Sequence, residues 1–97
     1  MYISNMTHFL DEKGNIPKQM PKEARELASF LALIVDEATK NYPHKVCNTD
    51  IRCFNPACDS TIRTEFIEDD EKIHWGCGDC ENAGIISDYQ GSRWDNM

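Results

Sequence analysis

Four cysteines set the tightest limit on what this 97-residue chain can fold into. Cys53 and Cys58 are spaced C-x4-C, eighteen residues follow, and Cys77 and Cys80 close the pattern as C-x2-C. Two short loops, each offering a pair of thiolates, can supply the four ligands of a tetrahedral zinc at about 2.3 Å from each sulfur. The intervening stretch is long enough for a hairpin that brings both loops to the same end of a sheet. The spacing therefore predicts a zinc-ribbon-like module holding one structural zinc ion per chain. Iron on the same four ligands, as in a rubredoxin-like electron carrier, is the alternative metal.

Other uses of the thiols fit less well. A redox C-x-x-C opens a helix inside a βαβ pattern, where the helix dipole lowers the thiol pKa. Here "CGDC" follows a strand-like stretch and leads into "ENAGIIS", which again reads as a strand. Five cysteines are an odd number, so a pure disulfide framework would leave one unpaired. The N-terminus has no basic start and no apolar stretch before a cleavage site, so a secretory signal is not expected. The longest apolar run, Phe30 to Val35, falls far short of the roughly 20 residues that span a bilayer. The expected setting is the cytoplasm, without membrane association, where thiols stay reduced and clustered cysteines bind metal.

Ahead of the cysteines, "PKEARELASFLALIVDEATK" (Pro21 to Lys40) has helical periodicity. Leu27, Ala28, Phe30, Leu31, Ile34, Val35 and Ala38 fall on one broad face, with Arg25, Ser29, Asp36 and Lys40 opposite. Pro21 suits the first helical position, Glu23 and Glu26 the positive end of the dipole, and Lys40 the negative end. Asn41 can act as a left-handed cap, and Pro43 stops continuation. Leu33 sits outside the stripe, either as a solitary exposed leucine or as a second contact with a dimer mate or a partner. Before the helix, Lys13-Gly14-Asn15 signals a turn within an irregular arm or loose hairpin.

"NYPHKV" reads as a linker, and from Ile51 onward the texture is β. "STIRTEFI" alternates, with Ile62, Thr64 and Phe66 on one side and Thr61, Arg63, Glu65 and Ile67 on the other. "EDDE" is a polar turn, "KIHWGC" a second strand and "GIISDY" a third, giving a short antiparallel meander. The expected fold is α+β: an amphipathic helix in an N-terminal part (1–44) packed with a small antiparallel ribbon (45–97). Glycine often follows the second cysteine of such loops, but Asp59 and Glu81 stand there, so the second loop is expected to turn at Asn82 or Gly84. His44, Cys47 and His74 are spare ligands, since "HKVC" has ligand-like spacing and could replace Cys53 or Cys58.

The tail from Ile73 to Asp95 resembles the C-terminus of small bacterial proteins of uncharacterised function. In these, a strand ending Trp-x-Cys-x-x-Cys runs into a pattern like G-D-x-G-[VIL]-I-S-x-W-x-G-[ST]-x-W-D. Trp75, Cys77, Cys80, Gly84, Ile86, Ser87, Gly91, Trp94 and Asp95 sit where that pattern expects them, while Glu81, Asn82 and Tyr89 depart from it. The resemblance implies a metal-bound ribbon and brings no known reaction with it. In "YQGSRWD", Trp94 either folds back to cap the core or joins Trp75, Tyr89 and Arg93 in a surface that binds a peptide or stacks an unpaired base.

Charge narrows the function. The chain carries −7 overall; residues 1–44 hold five basic and six acidic groups, and residues 45–97 hold five and eleven. Four thiolates on a divalent cation would add about −2 more to the acidic half. Nucleic-acid binding draws on Lys and Arg, so it is the weaker reading despite the precedent of zinc ribbons. No phosphate loop, nucleophile elbow or H-E-x-x-H occurs. The sequence therefore points to a non-catalytic, zinc-binding interaction module whose partner is another protein, with a homodimer through the helix as one possible assembly.

Overall fold

The fold was obtained as a computed structural model describing residues 2–42, 46–55, 57–66 and 72–96. Strand β1 (Tyr2–Asn5) runs into a 3-10 turn (Met6–Phe9), and helix α1 (Lys22–Lys40) follows. Strands β2 (Val46–Arg52), β3 (Thr61–Phe66), β4 (Ile73–Cys77) and β5 (Ala83–Ser87) complete the chain. They form one five-stranded sheet in the order β1-β5-β4-β3-β2. β1 lies parallel to β5, and every other pairing is antiparallel. Among the described residues, one α-helix on a mixed sheet makes the arrangement α+β.

The helix forms where its periodicity predicts. Ala28, Phe30, Leu31, Ile34, Val35 and Ala38 are buried, joined by Ala32 and Thr39 at the margins of the stripe. Pro21 occupies the N-cap rather than the first helical position. Asn41 ends the helix with a right-handed backbone (φ −91°), not as a left-handed cap; its Nδ2 donates to the Glu37 carbonyl at 2.8 Å instead. The role expected of Pro43 lies outside the described residues.

On the sheet, alternation decides which side chains meet the helix. Ile62 and Thr64 of β3, Ile73 and Trp75 of β4 and Ile86 of β5 are buried, while Arg63 and Glu65 face solvent. A fully buried isoleucine contributes about 1.5–3 kcal/mol, so Ile34, Ile62, Ile73 and Ile86 form the energetic centre of the domain. Ile67 and the acidic turn 68–71 lie outside the described residues.

Two expectations need correction. The sheet is a mixed sheet of five strands, not a three-stranded antiparallel meander. The supposed arm begins with β1, which pairs with β5 from Tyr2↔Gly84 to Asn5↔Ser87, and then delivers Met6 fully buried into the core. Asn5 holds that turn by accepting from the Thr7 amide at 2.9 Å. The supposed linker ends in β2, whose Thr49 is buried and donates its hydroxyl to the Ile62 carbonyl at 2.7 Å. The turn at Gly14 does form, with φ +79° and its amide bonded to Asp11 O at 3.0 Å.

Candidate metal centre

The four predicted ligands come together. Cys53 and Cys58 lie in the loop between β2 and β3, and Cys77 and Cys80 at the end of β4 and in the loop before β5. The β3–β4 hairpin sets Ile62 opposite Cys77, which brings both loops to one end of the sheet. All four sulfurs lie within 4.8 Å of one another. The shortest approaches run between loops: Cys53 Sγ to Cys80 Sγ is 3.5 Å, and Cys58 Sγ to Cys77 Sγ is 3.6 Å. A tetrahedron of sulfurs at about 2.3 Å from a central ion has edges of about 3.8 Å. The donor set thus has both the identity and the spacing that a four-coordinate thiolate site requires, and it can hold a metal ion.

Local hydrogen bonds shape each loop. Asn55 forms an Asx turn, its Oδ1 accepting from Ala57 N at 3.1 Å while its carbonyl accepts from Cys58 N at 2.9 Å. Cys53 N bonds Ser60 O at 2.8 Å and closes the first loop; Cys77 N bonds Asn82 O at 2.9 Å and closes the second. The Ser60 hydroxyl donates to the Asp79 carboxylate and ties the loops to each other. No left-handed residue is needed after either second cysteine. Among the described residues positive φ occurs only at Gly14, Asp88 and Gly91, so the expected turn at Asn82 or Gly84 does not form that way. Gly84 lies inside β5.

The electrostatics of the four thiols suit cation binding. The amide of Asp79, two residues on, is aimed at Cys77, and with help from the Cys80 amide it lowers that thiol to about 7. The Ser60 amide does the same for Cys58 and the Asn82 amide for Cys80, but both thiols are nonetheless raised. For Cys58 the neighbouring Cys77 thiol and burial outweigh the amide; for Cys80 burial and the Cys53 thiol do. Anions packed this closely oppose one another's ionisation, and a divalent cation removes that opposition. The Asn82 side-chain amide also lies 3.8 Å from Cys53 Sγ as a weak donor.

The spare ligands stand apart. Cys47 is half-buried in β2, where it pairs with Thr64, and His74 lies in β4 opposite Glu65; neither belongs to the cluster. His44 lies outside the described residues.

An aromatic cluster behind the site was not anticipated. Phe54, next to Cys53, packs against Phe30 of α1 (5.1 Å between centroids) and edge-on to Tyr2 of β1 (6.0 Å). Trp75 stacks on Tyr2 and meets Phe30 edge-on at 5.0 Å. The first loop is thereby anchored to the helix and to the N-terminal strand. Trp75 and Tyr89 are only 4% and 3% exposed, which corrects their expected place in an interaction surface. Both rings are large enough that a small core gains more from burying them than from displaying them. Trp94 is half-buried against the core, near α1, and Arg93 is exposed.

Compared with family models, curated proteins and solved structures, the chain gives no match. Among the described residues, no helix is long and apolar enough to cross a membrane.

Proposed function

We propose that this protein is a non-catalytic module in which Cys53, Cys58, Cys77 and Cys80 hold one structural zinc ion, and which acts by presenting a surface to another protein. The observation that carries the reading is the convergence of four sulfurs within 4.8 Å from two loops. Zinc suits four soft thiolates in a tetrahedron, and a shell completed by four protein ligands leaves no position for a substrate or an activated water. What the ion supplies is a cross-link between two loops. These cysteines do the remaining work, holding the ends of β2, β3 and β4 together at the edge of a small core. A reducing compartment, where such thiols persist, is the setting this reading requires. The chain's acidity favours a protein partner over a nucleic acid.

Elemental analysis of protein purified without added metal, together with its visible spectrum, tests the centre. One zinc per chain and no colour supports it. Iron with thiolate absorption would replace it with an electron carrier, and a folded protein without metal would remove it altogether.

A further inference from the structure

Along the flank of α1 that faces β2, the edge of the core is left open as an apolar trough. Leu33 is 56% exposed although it lies in the middle of the helix. Between α1, β2 and the first cysteine loop run two adjoining hollows of about 530 and 510 Å³. The first is floored by Leu27 and Phe54, and the second by Phe30, Leu33 and Ile51. Glu26 lines both, so they form one trough. From Glu23 to Glu37 it follows α1 for about 21 Å at 1.5 Å per residue.

Its rim is acidic. Glu23, Glu26, Glu37 and Asp50 border it, against Arg52 as the single cation lining it among the described residues. That guanidinium is already engaged, with Nη2 2.8 Å from Asp59 Oδ1. Lys22 approaches Glu26 only loosely, at 3.9 Å between two exposed side chains, and does little to neutralise the rim. A second copy of the chain would bring the same carboxylates against these, and nucleic-acid phosphates would be repelled in the same way.

We infer that this trough is a docking site for a basic amphipathic segment of a partner protein, with apolar side chains seated on Leu33, Ile51 and Phe54 and Lys or Arg facing the carboxylate rim. Such a segment matches the trough in both polarity and charge. The inference rests on the proposed role as an interaction module and assigns that role a place and a partner chemistry.

The test is selection of binders from a displayed library of random 16-residue peptides against the full chain, whose metal content is measured in the same samples. Enriched peptides are titrated at low and high salt and mapped by amide chemical shifts. The expected peptides combine apolar residues with an excess of Lys and Arg, shift amides along α1 and β2, and bind more weakly at high salt. Leu33→Asp and, separately, Glu37→Lys should weaken them about tenfold or more with metal content unchanged. Neutral or acidic peptides, or binding indifferent to both variants, would overturn the inference. So would Leu33-dependent dimerisation of the free chain, which would make the occupant a second copy. Peptides mapping to another face would sink the trough and leave the interaction role standing, whereas no enriched peptide would sink both.

Discussion

Trp75 and Gly84 sit opposite each other on β4 and β5, and the indole occupies the space a side chain on Gly84 would need. A methyl group at Gly84 would lie 2.6 Å from Trp75 Nε1 and 2.6 Å from the Tyr2 carbonyl oxygen. Glycine inside a strand ordinarily weakens it. Here Tyr2 and Trp75, its partners on either side, stack across it at 5.9 Å and restore the lost contact.

Gly84→Ala should therefore destabilise the domain by about 1–3 kcal/mol, because backbone and indole both obstruct the methyl group. Urea unfolding followed by tryptophan emission measures it. An unchanged midpoint would mean that Trp75 does not lie against β5. Trp75 Nε1 is buried without a hydrogen-bond partner among the described residues, so the emission of this indole should be blue-shifted in the folded protein.

The ligand set predicts an asymmetry between cysteines. Cys77→Ser removes one of four converging sulfurs and should abolish stoichiometric metal and unfold the cysteine-bearing end. Cys47→Ser should leave metal content unchanged, since that thiol lies in β2 outside the cluster. Metal per chain on the purified variants decides this, and equal loss in both would mean that a different four ligands operate.

Chelation tests how far the fold depends on the centre. Structural zinc in small domains is coupled to folding by roughly 10–16 kcal/mol in apparent terms, as large as the whole stability of a typical domain at about 5–15 kcal/mol. Removing metal with a strong chelator should lower the thermal midpoint sharply, and zinc at one equivalent should restore it. Because Phe54 links the first loop to Phe30 and Tyr2, the loss should reach α1 and β1 and show as falling helical circular dichroism. A midpoint that ignores the chelator would make the thiols bystanders.

What could be read from the sequence was what local pattern encodes. The α1 stripe repeats every three to four residues, β3 alternates from Thr61 to Phe66, and the spacing of Cys53, Cys58, Cys77 and Cys80 needs only a hairpin to close. The missed parts depend on distant partners. β1 is four residues long and gains its pairing from β5, some eighty residues away, so nothing within "YISN" announces it. β2 places Cys47, Thr49 and Ile51 inward with only one strongly apolar side chain among them, and its register with β3 shifts between Asn48 and Arg52. Whether Trp75 and Tyr89 face inward or outward was equally hidden, because an aromatic ring suits either place until the opposing layer is known.

Thr39 offers a test of how the C-terminal tail is held. It is 2% exposed at the end of α1, and its hydroxyl donates to the Val35 carbonyl at 2.6 Å while accepting from the Asn96 amide at 3.0 Å. The Trp94 carbonyl lies 3.3 Å from the same oxygen, and Asn96 Nδ2 reaches Asp36 at 2.9 Å. Thr39→Val keeps the shape but takes away the acceptor, leaving the Asn96 amide to find water. The cost should be about 0.5–1.5 kcal/mol, the net worth of a hydrogen bond whose donor can turn to water instead. Because Trp94 rides on this clasp, its emission should shift to the red and become accessible to iodide, while metal content stays at the wild-type value. Full quenching protection in Thr39→Val would show that the indole is held by its own packing against the core and that the clasp contributes only to the last residues.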